Sequence, residues 1–200
     1  MEGRGQVGLE FLIVFSSLMV LLAALTLPLH REAKDEARKF SALAEARESA
    51  GKIAAAINAV YGAGPGARSQ TEVWFPKEVV GIQVGGYGNL DVDGLMASDG
   101  EIRKNGRADV RILLDFDGDG RWDNRLGSTV VVDTLLPSRW WENGEERGER
   151  WVREKGVHVE DQNFILQPGT RTRHRLTFTF VYDPFHTYPR RITLSDEVVG

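Results

Sequence analysis

Between Phe11 and Leu29 the chain reads FLIVFSSLMVLLAALTLPL, a run with no charged side chain in which Ser16, Ser17 and Thr26 are the hydroxyl interruptions. A helix of that length reaches across a bilayer hydrocarbon core of about 30 Å, so the run predicts a membrane-spanning helix. A secretory signal peptide competes for the same stretch, but it needs an apolar run of only about 7–15 residues followed by a small-residue cleavage site. Here Pro28 leads into His30 and Arg31 instead. Glu10 stands at the lip of the run, and an ionisable group entering a membrane is costly and generally has a specific partner.

The rest of the chain is of another kind. With 200 residues and 42% hydrophobic composition there is enough for one ordinary domain with a core, in addition to the apolar run. A formal net charge of −4 argues against the broad basic face that a phosphate backbone requires, which removes nucleic acid from the expected partners. There is no cysteine, so disulfides, thiolate chemistry and Cys-based zinc sites are excluded, and the chain tolerates an oxidising exterior without needing one.

Helical character continues past the apolar run. Residues 31–62, REAKDEARKFSALAEARESAGKIAAAINAVYG, are rich in good helix formers. They place Ala33, Ala37, Phe40, Leu43, Ala50, Ile53, Ile57 and Val60 on one stripe. Asp35 with Lys39, and Glu48 with Lys52, are acid-then-base pairs four apart that support a solvated helix face. A helix from Gln6 to Tyr61 is about 80 Å long, more than a bilayer and a globular body use together, so its first half must be buried elsewhere. Pro28 is expected to kink or locally melt it.

The residues ahead of the run carry a resemblance. Arg4-Gly5-Gln6-Val7-Gly8-Leu9-Glu10, followed directly by the apolar helix, resembles the class III signal peptide of archaeal type IV prepilin-like proteins, whose pattern is Gln-x-Ser-x-Glu-x-x-x-Leu after a short charged leader. Gly8 stands where that pattern favours Ser, and Val14 where it favours Leu. The resemblance implies that a prepilin peptidase cuts between Gly5 and Gln6 on the cytoplasmic side, removing residues 1–5 and making Glu10 the fifth residue of the mature chain. In the family that glutamate is thought to pair with the new terminal amine of a neighbouring subunit. Two charges taken into an apolar filament core are tolerable chiefly as a pair.

Residues 62–70, opening with Gly62-Ala-Gly-Pro-Gly66, read as a helix terminator, a hinge and a domain boundary. No Gly-Lys-Ser/Thr follows, which removes a phosphate loop. From Thr71 the period switches. EVWF, EVVGIQV, ADVRILLDF, STVVVDTLL, EKGVHVE, FILQ, RLTFTFVY and RRITL are short β-branched or aromatic runs between turn residues. Leu176, Phe178, Phe180 and Tyr182 make one alternating apolar face. The expected fold is therefore α+β: a cleavable leader at 1–5, a long helix at 6–61 (membrane or filament core at 11–29, amphipathic continuation at 30–61), and a mostly antiparallel β-sandwich head at 71–200. Residues 138–150, with Trp140 and Trp141, read as an excursion from the sheet.

One motif in the head carries chemistry. Asp115, Asp117, Asp119 and Asp123 occupy positions one, three, five and nine of a loop in which Gly120 permits a tight turn and Arg121 supplies a backbone oxygen at position seven. A hard cation with six to eight oxygen ligands is bound by such a set, and calcium is the natural choice. Leu126 stands where an EF-hand has its glutamate, and the flanks read as strands, so the loop more resembles the calcium hairpin loops of β-rich extracellular proteins. The competing reading is an acidic turn that uses Asp-Gly for its backbone geometry. Like charges this close repel without a cation, which favours the metal.

No catalytic pattern stands out. His30, His158, His174 and His186 have no metal-ligand spacing, no GxSxG elbow is present, and the Arg171–Arg175 cluster reads as the solvated outer face of a strand. The chain is not expected to be an enzyme. The expected function is a structural subunit of an archaeal type IV pilus-like surface filament. Its partners would be the prepilin peptidase, other pilin subunits and the membrane, and after assembly its head would lie outside the cell. The alternative is a membrane-anchored extracellular β-domain that binds or adheres without polymerising.

Overall fold

The computed structural model describes residues 3–84, 95–96, 102–103, 107–120, 128–137, 141–142, 145–146, 156–159, 163–165 and 169–199. For 3–10, 95–96, 102–103, 137, 141–142, 145–146 and 163–165 the description is of the backbone alone. One helix, α1, runs from Gly3 to Ala63. The chain forms two compact units, Met1–Ser41 and Ala42–Gly200.

In the first unit the large apolar side chains between Phe11 and Leu29 lie 48–69% exposed on every side of the helix. The helix is long and apolar enough to cross a membrane. Two of its hydroxyls are satisfied locally: Ser17 Oγ donates to the Ile13 carbonyl at 2.7 Å and Thr26 Oγ1 to the Leu22 carbonyl at 2.8 Å. Such back-bonding lets Ser and Thr sit in an apolar helix with no unpaired hydroxyl. Phe11 and Phe15 stack with centroids 6.1 Å apart. The segment stays helical through Pro28, against the expected local melting. The proline ring removes one backbone bond, and the neighbouring turns keep theirs.

In the second unit the helix turns amphipathic in earnest. Ala46, Ala50, Ile53 and Ile57 are fully buried, and Ala42, Ala54, Ala56 and Val60 nearly so. The stripe read from spacing therefore holds from Leu43 to Val60. Its first members do not join the core: Ala33 and Ala37 are exposed, and Phe40 is 70% exposed. Burial starts at Ala42 because the unit's hydrophobic core starts there. The boundary between units thus falls inside the helix and not at residues 62–70. That segment ends the helix: the Gly64 N–H donates to the Val60 carbonyl at 3.1 Å, and Gly64 adopts φ +85°, the left-handed cap only glycine takes at no cost.

The strands follow in order. They are β1 (Arg68–Phe75), β2 (Val79–Val84), β3 (Leu95–Met96), β4 (Ile102–Arg103), β5 (Arg107–Leu114), β6 (Thr129–Pro137), β7 (Trp141–Glu142), β8 (Glu145–Glu146), β9 (His158–Val159), β10 (Asn163–Ile165), β11 (Thr172–Tyr182) and β12 (Arg190–Val198). Among the described residues they form two four-stranded sheets, ordered β1-β11-β12-β9 and β10-β2-β5-β6, with two small hairpins, β3-β4 and β7-β8. The β12–β9 pair is parallel and the others are antiparallel, which is the expected α+β architecture of one long amino-terminal helix followed by a mostly antiparallel sandwich. Both sheets supply one core with α1: Phe75, Leu176, Phe178 and Ile192 from the first and Ile82, Ile112, Leu114 and Leu136 from the second are at most 2% exposed. Alternation explains it, since residues two apart on a strand share a face. Tyr182, expected on the same apolar face, is 56% exposed because β11 leaves the core before its last residue.

Candidate functional site

The residues singled out by sequence fall in both units. Gly5, Gln6 and Glu10 lie within α1, which runs without a break through the Gly5–Gln6 bond. Their side chains lie outside the described residues. Beyond them the apolar helix is a cylinder of Leu, Val, Phe and Ala that water solvates poorly and that a hydrocarbon phase or a bundle of like helices solvates well.

The aspartate loop follows β5 directly. The Asp115 N–H donates to the Glu78 carbonyl at 2.7 Å, and the Leu114 N–H to the Ser128 carbonyl at 2.8 Å, so the ladder itself delivers Asp115 to the start of the turn. Asp115 is 5% exposed. Its Oδ1 accepts the N–H of Asp117 at 3.1 Å and of Gly118 at 2.7 Å, and its Oδ2 accepts the N–H of Gly120 at 2.8 Å. Asp117 Oδ1 accepts the Asp119 N–H at 3.2 Å. Gly118 and Gly120 take φ +80° and +78°, which is why both positions are glycine. Burial pushes the Asp115 carboxyl up, yet the Gly118 and Gly120 N–H groups and the hydrogen bonds from Asp117 outweigh it and hold the acid below its ordinary range.

Carboxylate oxygens of Asp115, Asp117 and Asp119 lie within 4.8 Å of one another. The donor set is all oxygen and anionic, which fits a hard divalent cation. Asp117 and Asp119 are exposed, so the open side of the turn faces solvent. Arg121 and Asp123, the other two expected ligands, lie outside the described residues. The four backbone donors also satisfy the geometry of an ordinary acidic turn.

The arginine cluster is a pairing device. Arg175 donates to Glu72 of β1 at 3.0 Å and to Glu197 of β12 at 3.1 Å, Arg173 pairs with Glu72, and Arg171 pairs with Glu45 of the helix. The Arg175 and Arg173 hydrogen bonds hold Glu72 below the usual carboxylate range. The Arg171 and Arg173 guanidiniums lie 4.8 and 5.7 Å from the Trp74 ring centre. Sequence reading placed these arginines on an outer strand face but had no means of finding their partners, which stand 22 to 126 residues away. His174 is 3% exposed, with Nδ1 2.8 Å from Asp196 Oδ2 and Nε2 3.0 Å from Thr172 Oγ1, while the Phe75 ring meets it edge-on at 5.2 Å. This contact joins β11 to the end of β12 from inside the sandwich. Alternation along β11 places His174 on the buried face, but no spacing rule points to Asp196.

The chain matches no family model, no curated protein and no solved structure.

Proposed function

We propose that this chain is a structural subunit of an archaeal type IV pilus-like surface filament, processed between Gly5 and Gln6 and assembled through its amino-terminal helix. The observation that carries the reading is the contrast within α1. Residues 11–29 are apolar around the whole circumference and exposed, while from Ala42 onward the same helix is one-sided and already buried in the head. A helix that is hydrophobic all round must be buried in something outside its own head. A membrane serves before assembly and a core of parallel helices afterwards. Glu10 then pairs with the amine freed at Gln6 of a neighbouring subunit, and the head stands outside the cell. As part of the same reading, Asp115, Asp117 and Asp119, with the Arg121 carbonyl and Asp123, take up calcium, which would stiffen the β5–β6 connection without any reaction.

Intact-mass and amino-terminal analysis of the native protein in membrane and sheared-filament fractions tests the reading. A chain beginning at Gln6 and enriched in filaments is the expected result. A chain beginning at Met1 and confined to membranes overturns it and leaves an anchored β-domain that binds or adheres as a monomer.

A further inference from the structure

The strands that end the two sheets differ in length. Among the described residues β9 and β10 have two and three residues, whereas β1 and β6 have eight and nine. A short end strand offers little to a foreign chain, but a long one presents a row of N–H and C=O groups on which another strand can pair. β6 is also rich in residues that favour strands, with Val130, Val131 and Val132 in succession. Both long edges meet the helix.

On β1, Trp74 stands opposite Arg173, whose carbonyl accepts the Val199 N–H from the β12 side. In such an antiparallel pair the backbone groups point away from each other, so the Trp74 carbonyl lies on the edge of β1 that faces away from β11. Ser49 Oγ of the helix donates to it at 2.6 Å. On β6, Leu135 falls between Asp133 and Pro137, where the register with β5 shifts, and its N–H turns to the helix and donates to Asn58 Oδ1 at 2.6 Å. Ser49 and Asn58 are nine residues apart, about two and a half helical turns, so they leave α1 on opposite flanks. Between those flanks Ala46, Ala50, Ile53, Ile57 and Val60 are at most 1% exposed, in the core that both sheets supply. Glu45 adds a tie through Arg171.

We infer that residues 42–63 are a strap that closes the open side of the sandwich, tied to the β1 edge through Ser49 and to the β6 edge through Asn58. While the strap is docked, the two long edges are closed to other chains. Lifted, they pair with strands of further copies of this chain, which is the ordinary fate of a long open edge. The closure is conditional because each of these ties is one hydrogen bond from a side chain to a backbone group, which water replaces more readily than a ladder between strands. The strap lies wholly within the second unit, so the inference holds for a filament subunit and for an anchored monomer alike.

The experiment uses the full chain in detergent micelles, with hydrogen exchange read by mass spectrometry over residues 68–75, 129–137 and the central 176–180, and with thioflavin fluorescence and sedimentation on the same samples. Ser49→Ala should speed exchange in 68–75 alone and Asn58→Ala in 129–137 alone, each about two- to tenfold, the change that one lost hydrogen bond gives. Asn58→Asp keeps an acceptor oxygen and should exchange as the unaltered chain does. The double variant Ser49→Ala/Asn58→Ala should open both edges and form sedimenting, thioflavin-positive species that the unaltered chain does not form. Ile112→Ala, whose cavity weakens the head without removing either tie, shows what plain destabilisation looks like: faster exchange in all three segments. The strap is overturned by edge exchange that stays unchanged in the double variant, by exchange that rises equally in all three segments, or by opened edges on a chain that does not self-associate.

Discussion

Residues 11–29 and 42–63 belong to one continuous helix and solve opposite problems. In the first stretch every face is apolar and none is covered by the chain itself. In the second, Ala46 and Ala50 and then Ile53 and Ile57 line a single buried face, and the other faces carry Glu48 and Lys52, paired at 2.7 Å. The difference teaches that helix propensity is shared along α1, whereas the environment is set by how far round the helix the apolar residues extend. One stretch belongs to the head's core, and the other requires a solvent the head does not supply.

Breaking this comparison from the first side has the largest effect. Leu18→Lys with Leu21→Lys places two charges in the apolar stretch at about 3 kcal/mol each, enough to remove the chain from the membrane fraction. The head's thermal unfolding should stay unchanged, because neither residue touches its core. Flotation and circular dichroism on the same preparation check both halves, and a lowered melting temperature for the head would undo the separation.

Breaking it from the other side costs less and shows the reverse. Ile57→Ala leaves a cavity where the side chain is fully buried, which costs roughly 2–5 kcal/mol of head stability. Denaturant unfolding should register that loss while membrane partition stays as it was.

The smallest effect sharpens the picture at the aspartate loop. Calcium should stabilise the head at neutral pH by about 2.7 kcal/mol at a hundredfold excess over its dissociation constant, read as a melting temperature that climbs with the logarithm of calcium concentration, and Asp119→Asn should remove most of the rise. Because Asp115 is held below its ordinary range, the folded state binds its proton less readily than the unfolded state does. Its contribution is complete above the unfolded carboxylate range near pH 4 and fades as pH falls through the lowered folded value. Differential scanning fluorimetry with calcium and with chelator, from pH 7 to pH 3, reads both. An equal rise with calcium in Asp119→Asn would remove the metal and leave the turn.

Much of this was legible in the residues. The uncharged run from Phe11 to Leu29 dictates a long apolar helix because no other element satisfies the backbone of such a stretch in hydrocarbon. Gly64 ends the helix because a left-handed cap needs no side chain, and the alternation of Leu176, Phe178 and Phe180 fixes which face of β11 is buried. The Asp-x-Asp-Gly-Asp-Gly spacing delivers the turn and its converging carboxylates, since those contacts span at most five residues. What the sequence did not decide is everything that depends on distant residues meeting. Periodicity ran the stripe through Ala33, Ala37 and Phe40, yet only the packed sheets determine that burial begins at Ala42. The partners of Arg171, Arg173 and Arg175 and the Asp196 beside His174 are set by strand order and register. Local chemistry is written in neighbours along the chain, and these relations exist only once two sheets and a helix close on one core.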